Sequence, residues 1–403
     1  MTLPARLIFT FAAVLGAGCG NSTSTTGSIP PGEGLTCNAT SSASDAASAK
    51  STLASAAPGT CVVVPAGTYA GPFTVPAGVS LVAQNGARAT ITGGTAQQPA
   101  VSLAEGSQLV GFDVVDAGGV GIAVRAANAL IASVNVSGAK NAALAILCRE
   151  SATPGCATGT VIVNSVNLTA STLGVWVSGA HLAMKGGSSA NHAGTALASA
   201  AGVIAQDGAK LELENVTVEK NQGVGILVDG ATTTAAIKNI TVNENGERGI
   251  WAQRVAGTLA APAIKIENSQ ITKNKIVGMG AVESHGIIIV GGRIADSVAA
   301  PQVTNLESTE SVGDGVGMFG SSGDFKLDGA TIESNARAAG LFDGSERGII
   351  IVGGTVAAGA SGLKFVVQNK KADAQVQIAA DDLSTPAKPL GVAAPMLALP
   401  PVL

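Results

Sequence analysis

Asn215-Val-Thr-Val-Glu-Lys-Asn221-Gln-Gly-Val-Gly-Ile226 is followed, 24 residues on, by Asn239-Ile-Thr-Val-Asn-Glu-Asn245-Gly-Glu-Arg-Gly-Ile250, and this self-similarity decides the fold. Apolar residues alternate within each copy, as in Val216 and Val218 and again in Ile226 and Val228, which is the period of strands with one face buried. Between the two alternating runs stand Asn and Gly, residues that accept the left-handed backbone angles of tight turns. Short strands, tight turns and a period in the twenties describe a coil. Stacking coils pairs each strand in parallel with its copies above and below, and lines up the inward Val, Ile and Leu as ladders.

Further copies extend the pattern. Ser269 to Asn274 repeats the first half, Asn305 to Ser311 with Gly315-Val316 repeats the whole, and Ala330 to Asn335 with Gly340-Leu341 repeats it again. Weaker versions stand at Ser133 to Val136 and Ser165 to Leu168. Ser284-His-Gly286-Ile-Ile-Ile-Val-Gly-Gly292 returns 62 residues later as Glu346-Arg-Gly348-Ile-Ile-Ile-Val-Gly-Gly354, which predicts a duplicated pair or triplet of coils.

Composition agrees with an all-β chain. There are 53 Gly, only 12% charged and 3% aromatic residues, and 46% hydrophobic residues, so the interior is built from small and β-branched side chains rather than long helices. A net charge of -4 with no Lys/Arg-rich run argues against a nucleic-acid partner. Residues 1–18 read as a leader, with Arg6 ahead of an apolar core too short to span a bilayer. Gly16-Ala17-Gly18-Cys19 resembles the bacterial lipobox, although Leu15 sits one place further from the Cys than is usual. That resemblance implies a lipoprotein whose mature chain begins at a lipidated Cys19, followed by a Ser/Thr/Gly/Pro tether over residues 19–36. Gly20 in place of Asp implies, by the same resemblance, an outer-membrane destination, periplasmic or surface-facing, with the lipid as the only membrane contact. The even count of Cys37, Cys61, Cys148 and Cys156 in an exported chain predicts disulfides, most simply Cys37 with Cys61 and Cys148 with Cys156.

Ala-rich residues 44–57 read as a short helix, and Pro58-Gly59-Thr-Cys61-Val-Val-Val-Pro65-Ala-Gly67-Thr-Tyr69 follows as an apolar strand running into a Pro-x-Gly-x-Tyr turn. With the repeat, this opening resembles the pectate-lyase-like right-handed β-helix superfamily. The resemblance implies a right-handed parallel β-helix of roughly a dozen coils over residues 37–385, a short N-terminal capping helix, and a Pro-rich tail or cap over 386–403.

Such a fold hosts polysaccharide lyases, hydrolases, adhesins and proteins without chemistry, so function has to be sought in residues. Ser284-His285-Gly286 resembles the Gly/Ser-His-Gly element of polygalacturonase-like hydrolases, but the only Asp pair, Asp381-Asp382, follows it far downstream. The Asn-Thr-Asp and Arg-Ile-Lys elements of those hydrolases are absent. A lyase would need carboxylates for Ca²⁺ and a base, and Asp229, Asp314 and Asp343 are the nearest candidates. The catalytic candidates are therefore His285, Asp314 and Arg347, no metal site is expected, and Ca²⁺ enters only under the lyase reading. If Ile226 and Ile250 point inward, the next residue in each coil points outward. That position reads Trp176, Ile204, Leu227, Trp251, Ile288, Phe342 and Ile350, with Arg248, His285, Asp314 and Arg347 alongside. An apolar strip with a charged margin is the expected binding face for a polysaccharide or a cell-surface protein. Two other outcomes are open: loops such as residues 255–263 folding over the strip, and a structural envelope protein without ligand.

Overall fold

The computed structural model describes residues 35, 37–84, 87–148, 159–194, 200–301, 311–391 and 396–399. The expected leader, Cys19, the tether apart from Leu35, and Cys156 lie outside the described residues.

One coil shows the plan. Strands Lys210–Glu214, Thr217–Glu219 and Ile226–Asp229 are followed by their copies Thr234–Lys238, Thr241–Asn243 and Arg248–Gln253. Each pairs in parallel with its copy, Leu211 with Ala235, Val218 with Val242, and Ile226 with Ile250. Repetition gives three columns of parallel strands. The first two merge into one 24-stranded sheet because Thr160–Thr169 and His181–Ala190 run through both. The third is a 13-stranded sheet with all but one strand in a single parallel column. Val216, Val218, Ile240 and Val242 line a common interior with Ile226 and Ile250, as the alternation requires. The long echo resolves to a pair of coils, since Ile287 pairs with Phe325 and Phe325 with Ile349.

The corners divide the labour of the Asn residues in a way the repeat alone does not reveal. Asn215, Asn239 and Asn268, between the first two columns, do take left-handed angles, with φ of 56°, 52° and 48°. At the next corner the left-handed residue is the one before the Asn: Lys220, Glu244 and Lys273, at 54°, 54° and 55°. Asn221, Asn245 and Asn274 instead turn their side chains inward and bond from coil to coil. Asn245 Oδ1 accepts from the Asn221 N–H at 3.2 Å and from Asn221 Nδ2 at 2.9 Å. Asn274 Oδ1 does the same for Asn245, at 3.1 and 2.8 Å. The Gly four residues on leaves room for this ladder, because a Cβ on Gly249 would stand 2.4 Å from Gly278 O and 2.7 Å from Asn274 Nδ2. Asn305, read as a copy of Asn215, lies outside the described residues, and the second-column strand of its coil is Arg293–Ala295. Ser297 takes the ladder position there, its N–H donating to Asn335 Oδ1 at 3.2 Å.

Helix α1, Ala46–Ser55, covers the upper end, capped by Asp45 accepting from the Ser48 N–H at 2.8 Å and burying Ala49 and Leu53. Cys37 and Cys61 form a disulfide with their Cα atoms 5.5 Å apart. Cys148 is also disulfide-bonded. At the lower end, Ser384 N–H donates to Phe365 O at 2.8 Å. The tail does not stop there as a plug. Leu390, Leu397 and Leu399 lie back along the outside of the third column.

Candidate functional site

Outward residues of the third column form a continuous register line. Ala145 pairs with Trp176, Trp176 with Ile204, Ile204 with Leu227, and Leu227 with Trp251. Below them the line continues through Gly280, Gly317, Leu341 and Val366. These side chains form an apolar cluster separate from the interior core.

Three residues assigned to the strip belong elsewhere. Phe342 points into the core against Phe325 and Phe365, with ring centroids 5.6 and 5.8 Å away. Gly340 itself takes the inward position opposite Val316, so the pattern shifts by one and Leu341 faces out. Phe365 fills the space that the missing Gly340 side chain leaves, its Cδ1 lying 2.9 Å from where a Cβ would stand. Ile288 and Ile350 sit half-buried on the first column, in line with Lys265 and Lys326, because Gly286 and Gly348 open first-column strands.

The strip is covered: both tryptophans are at most 1% exposed. Folding of the loop at residues 255–263 over the strip is one outcome the sequence leaves open; the polar ties on this face come from the chain's own tail, at the rung of Trp251 and below. Gln253 Nε2 donates to Leu397 O at 3.1 Å and Gln253 Oε1 accepts from the Leu397 N–H at 2.9 Å. Gln368 clamps Leu390 in the same way, at 3.0 Å for each bond. Arg337 donates to Gly391 O at 2.8 Å. Sequence reading missed Gln253, Gln368 and Arg337, although Gln recurs at the end of third-column strands as Gln206, Gln253 and Gln368.

The margin is charged and buried. Arg248 lies over the Trp251 ring at 4.2 Å and pairs with Glu247 at 2.9 Å. Burial pushes the Glu247 carboxyl up and the Arg248 guanidinium down from their ordinary values, so their mutual attraction only partly offsets desolvation. Asp314, fully buried and raised by that burial, is held by two bonds from Arg337 at 2.9 and 2.5 Å. Among the described residues, four buried polar atoms on this side have no hydrogen-bond partner: Trp176 Nε1, Trp251 Nε1, Arg248 Nε and Gln206 Oε1.

The catalytic candidates do not converge. His285 and Arg347 share a line on the first column, two rungs apart across Gly323, whereas Asp314 lies on the third. Burial first, and the Arg347 charge next, hold His285 below its usual value, and Arg347 itself is paired with Asp324 at 2.9 Å. The lyase carboxylates are likewise dispersed among partners: Asp229 binds Arg254 at 2.6 Å and Asp343 accepts from Asn369 at 2.7 Å. Among the described residues no group of three His, Cys, Asp or Glu side chains is arranged to hold a metal ion. A shallow groove of about 570 Å³ on the first column is lined by Ile162, Lys185, Glu212, Glu214 and Lys238. Its carboxylates pair within the protein, as in Lys185–Glu214 at 3.2 Å and Lys210–Glu212 at 2.7 Å.

Residues 106–294 match the family model described as a right handed beta helix region. Among solved structures, a variant of the periplasmic alginate epimerase AlgG superposes with a TM-score of 0.51 at 10% identity, covering 79% of this chain and 77% of that one. The chain is a right-handed parallel β-helix with the pectin-lyase-like fold. Two further structures are similar to the β-helix at lower scores. The A-module of the Azotobacter vinelandii mannuronan C-5 epimerase AlgE4 gives 0.46 at 14% identity, over 86% of this chain and 96% of that one. The Erwinia carotovora polygalacturonase gives 0.46 at 12% identity, over 90% of this chain and 100% of that one. No curated protein sequence matches the β-helix.

Proposed function

We propose that this β-helix is an exported, lipid-anchored, non-catalytic protein of the outer membrane that binds polysaccharide along the third-column face. One observation carries the reading: two tryptophans, in register three rungs apart and flanked by Arg248, present unpaired indole donors on an outer face. Aromatic faces with a few placed donors suit sugar rings and their hydroxyls. The separation of His285 from Asp314 favours binding over a lyase or hydrolase. The likeness to an alginate epimerase makes alginate the first probe.

Calorimetric titration with alginate, beside uncharged glucans, tests this. The Trp176→Phe, Trp251→Phe double variant keeps apolar packing and removes both indole donors. It is expected to bind about tenfold more weakly, the worth of two ordinary hydrogen bonds. Equal affinity of variant and parent would remove the tryptophans from the site. Incubation with uronate polymers, with and without Ca²⁺, is expected to release neither unsaturated ends nor reducing sugars; their appearance would restore the enzymatic reading. Intact-mass analysis of the mature N-terminus checks lipidation of Cys19.

A further inference from the structure

We infer that the C-terminal segment, seen at residues 384–391 and 396–399, is a strap that occupies the ligand face in cis and excludes ligand until it lifts. The inference rests on the polysaccharide reading of that face. Its first support is how the strap is held. Among its described residues it adds no strand beyond Ser384, and the polar ties that hold it include side chain to backbone bonds from the two Gln clamps and from Arg337 to Gly391. The clamps follow the geometry of the column. Gln253 and Gln368 are four rungs apart, about 19 Å at the usual strand spacing. The clamped Leu390 and Leu397 are seven residues apart, a reach of about 23 Å at most.

The second support is the imperfect fit. A permanent structural cover pairs the polar atoms it buries. This one satisfies Gln253 and Gln368, yet on the same face, among the described residues, Trp251 Nε1 and Arg248 Nε at its rung, and Trp176 Nε1 and Gln206 Oε1 further up, have no partners. Three of those atoms are donors and one an acceptor, and sugar hydroxyls serve both. Met396, beside the clamped Leu397, is 37% exposed, so the segment is held at intervals rather than embedded. Few buried contacts and exposed intervals mark segments that open at low free energy. An open state populated at roughly a tenth or less would weaken apparent affinity about tenfold or more.

The β-helix carries a built-in reporter, because its only two tryptophans both lie on this face. Acrylamide quenching of their fluorescence reads the strap without any ligand. Two proteins are compared with the parent mature chain: one ending at Ser384, and the Gln253→Glu, Gln368→Glu double variant, in which a carboxylate oxygen replaces each amide donor facing a carbonyl. The second keeps the whole chain, and circular dichroism checks that each retains the fold. Both are expected to show several-fold stronger quenching and alginate affinity about tenfold or more above the parent. Tryptophans that stay protected in folded tail-free protein would overturn the strap, as would exposed tryptophans with alginate affinity equal to the parent's measurable one. Exposed tryptophans with no alginate binding by any form would support the strap and overturn the polysaccharide reading, so the two fail separately.

Discussion

The Asn245→Ala protein is expected to be less stable than its parent by about 3 kcal/mol or more, a loss far beyond that of an ordinary surface substitution. Asn245 occupies the middle of the inward ladder and is 1% exposed. Its Oδ1 accepts both the backbone N–H and the side-chain amide of Asn221, while its Nδ2 donates to Asn274 Oδ1 at 2.8 Å and Val218 O at 3.3 Å. Truncation leaves the Asn221 N–H without its acceptor and the Asn221 amide with only its long bond to Ser189 O at 3.4 Å, in a corner closed to water where an unsatisfied donor costs about 1–3 kcal/mol. A cavity is left as well. Stacked repeats contact only their neighbours, so the break falls on one interface and should also broaden the transition as the two halves decouple. Urea unfolding followed by circular dichroism measures both effects. A loss within 1 kcal/mol of zero, with an unchanged slope, would mean that the ladder is incidental to stability. Asn245→Ser should fall between, since Ser297 holds the same position lower down but leaves its own Oγ unpartnered.

That ladder also marks where sequence reading stopped. Columns, interior and capping helix were legible because they depend on local alternation and a repeated spacing, both written within single coils. The inward Asn was visible as a repeated letter, but a left-handed angle and a buried amide favour the same residue type, so its role was not. Phe342 was misplaced for a related reason: Gly340 occupies an inward position only because Phe365, a coil away, supplies the missing volume. The apolar line from Trp176 to Trp251 was legible, and its cover was not. Gln253 and Leu397 are separated by 144 residues, and no periodicity links a tail to the face it lies on. Asp314 shows the same limit, its partner Arg337 lying one coil on, at 23 residues.

His192 should make the β-helix acid-sensitive. It stands where the ladder carries Asn in later coils: its backbone N–H donates to Asn221 Oδ1 at 3.1 Å, while Nδ1 accepts from the Ser171 N–H at 3.3 Å. Its Nε2 is 3.1 Å from Ser189 Oγ, which donates to Gly202 O at 2.7 Å, so the ring is enclosed. Burial lowers its value from 6.5 to about 4 in the folded protein. Between those values the unfolded chain binds the proton and the native chain does not, so stability present above pH 6.5 is lost as pH falls towards 4. The shift corresponds to about 3 kcal/mol across that window. Glu247 and Asp314, raised by burial, act in the opposite sense, because their native forms take up protons first on acidification. The observable is therefore the difference between parent and His192→Asn, which supplies the usual ladder residue and does not titrate. Urea unfolding at pH 7 and pH 4 should show the variant gaining about 3 kcal/mol relative to the parent on acidification. A parent–variant difference that is the same at both pH values would mean that the native ring takes up its proton as readily as the unfolded one, and that the corner admits a charge.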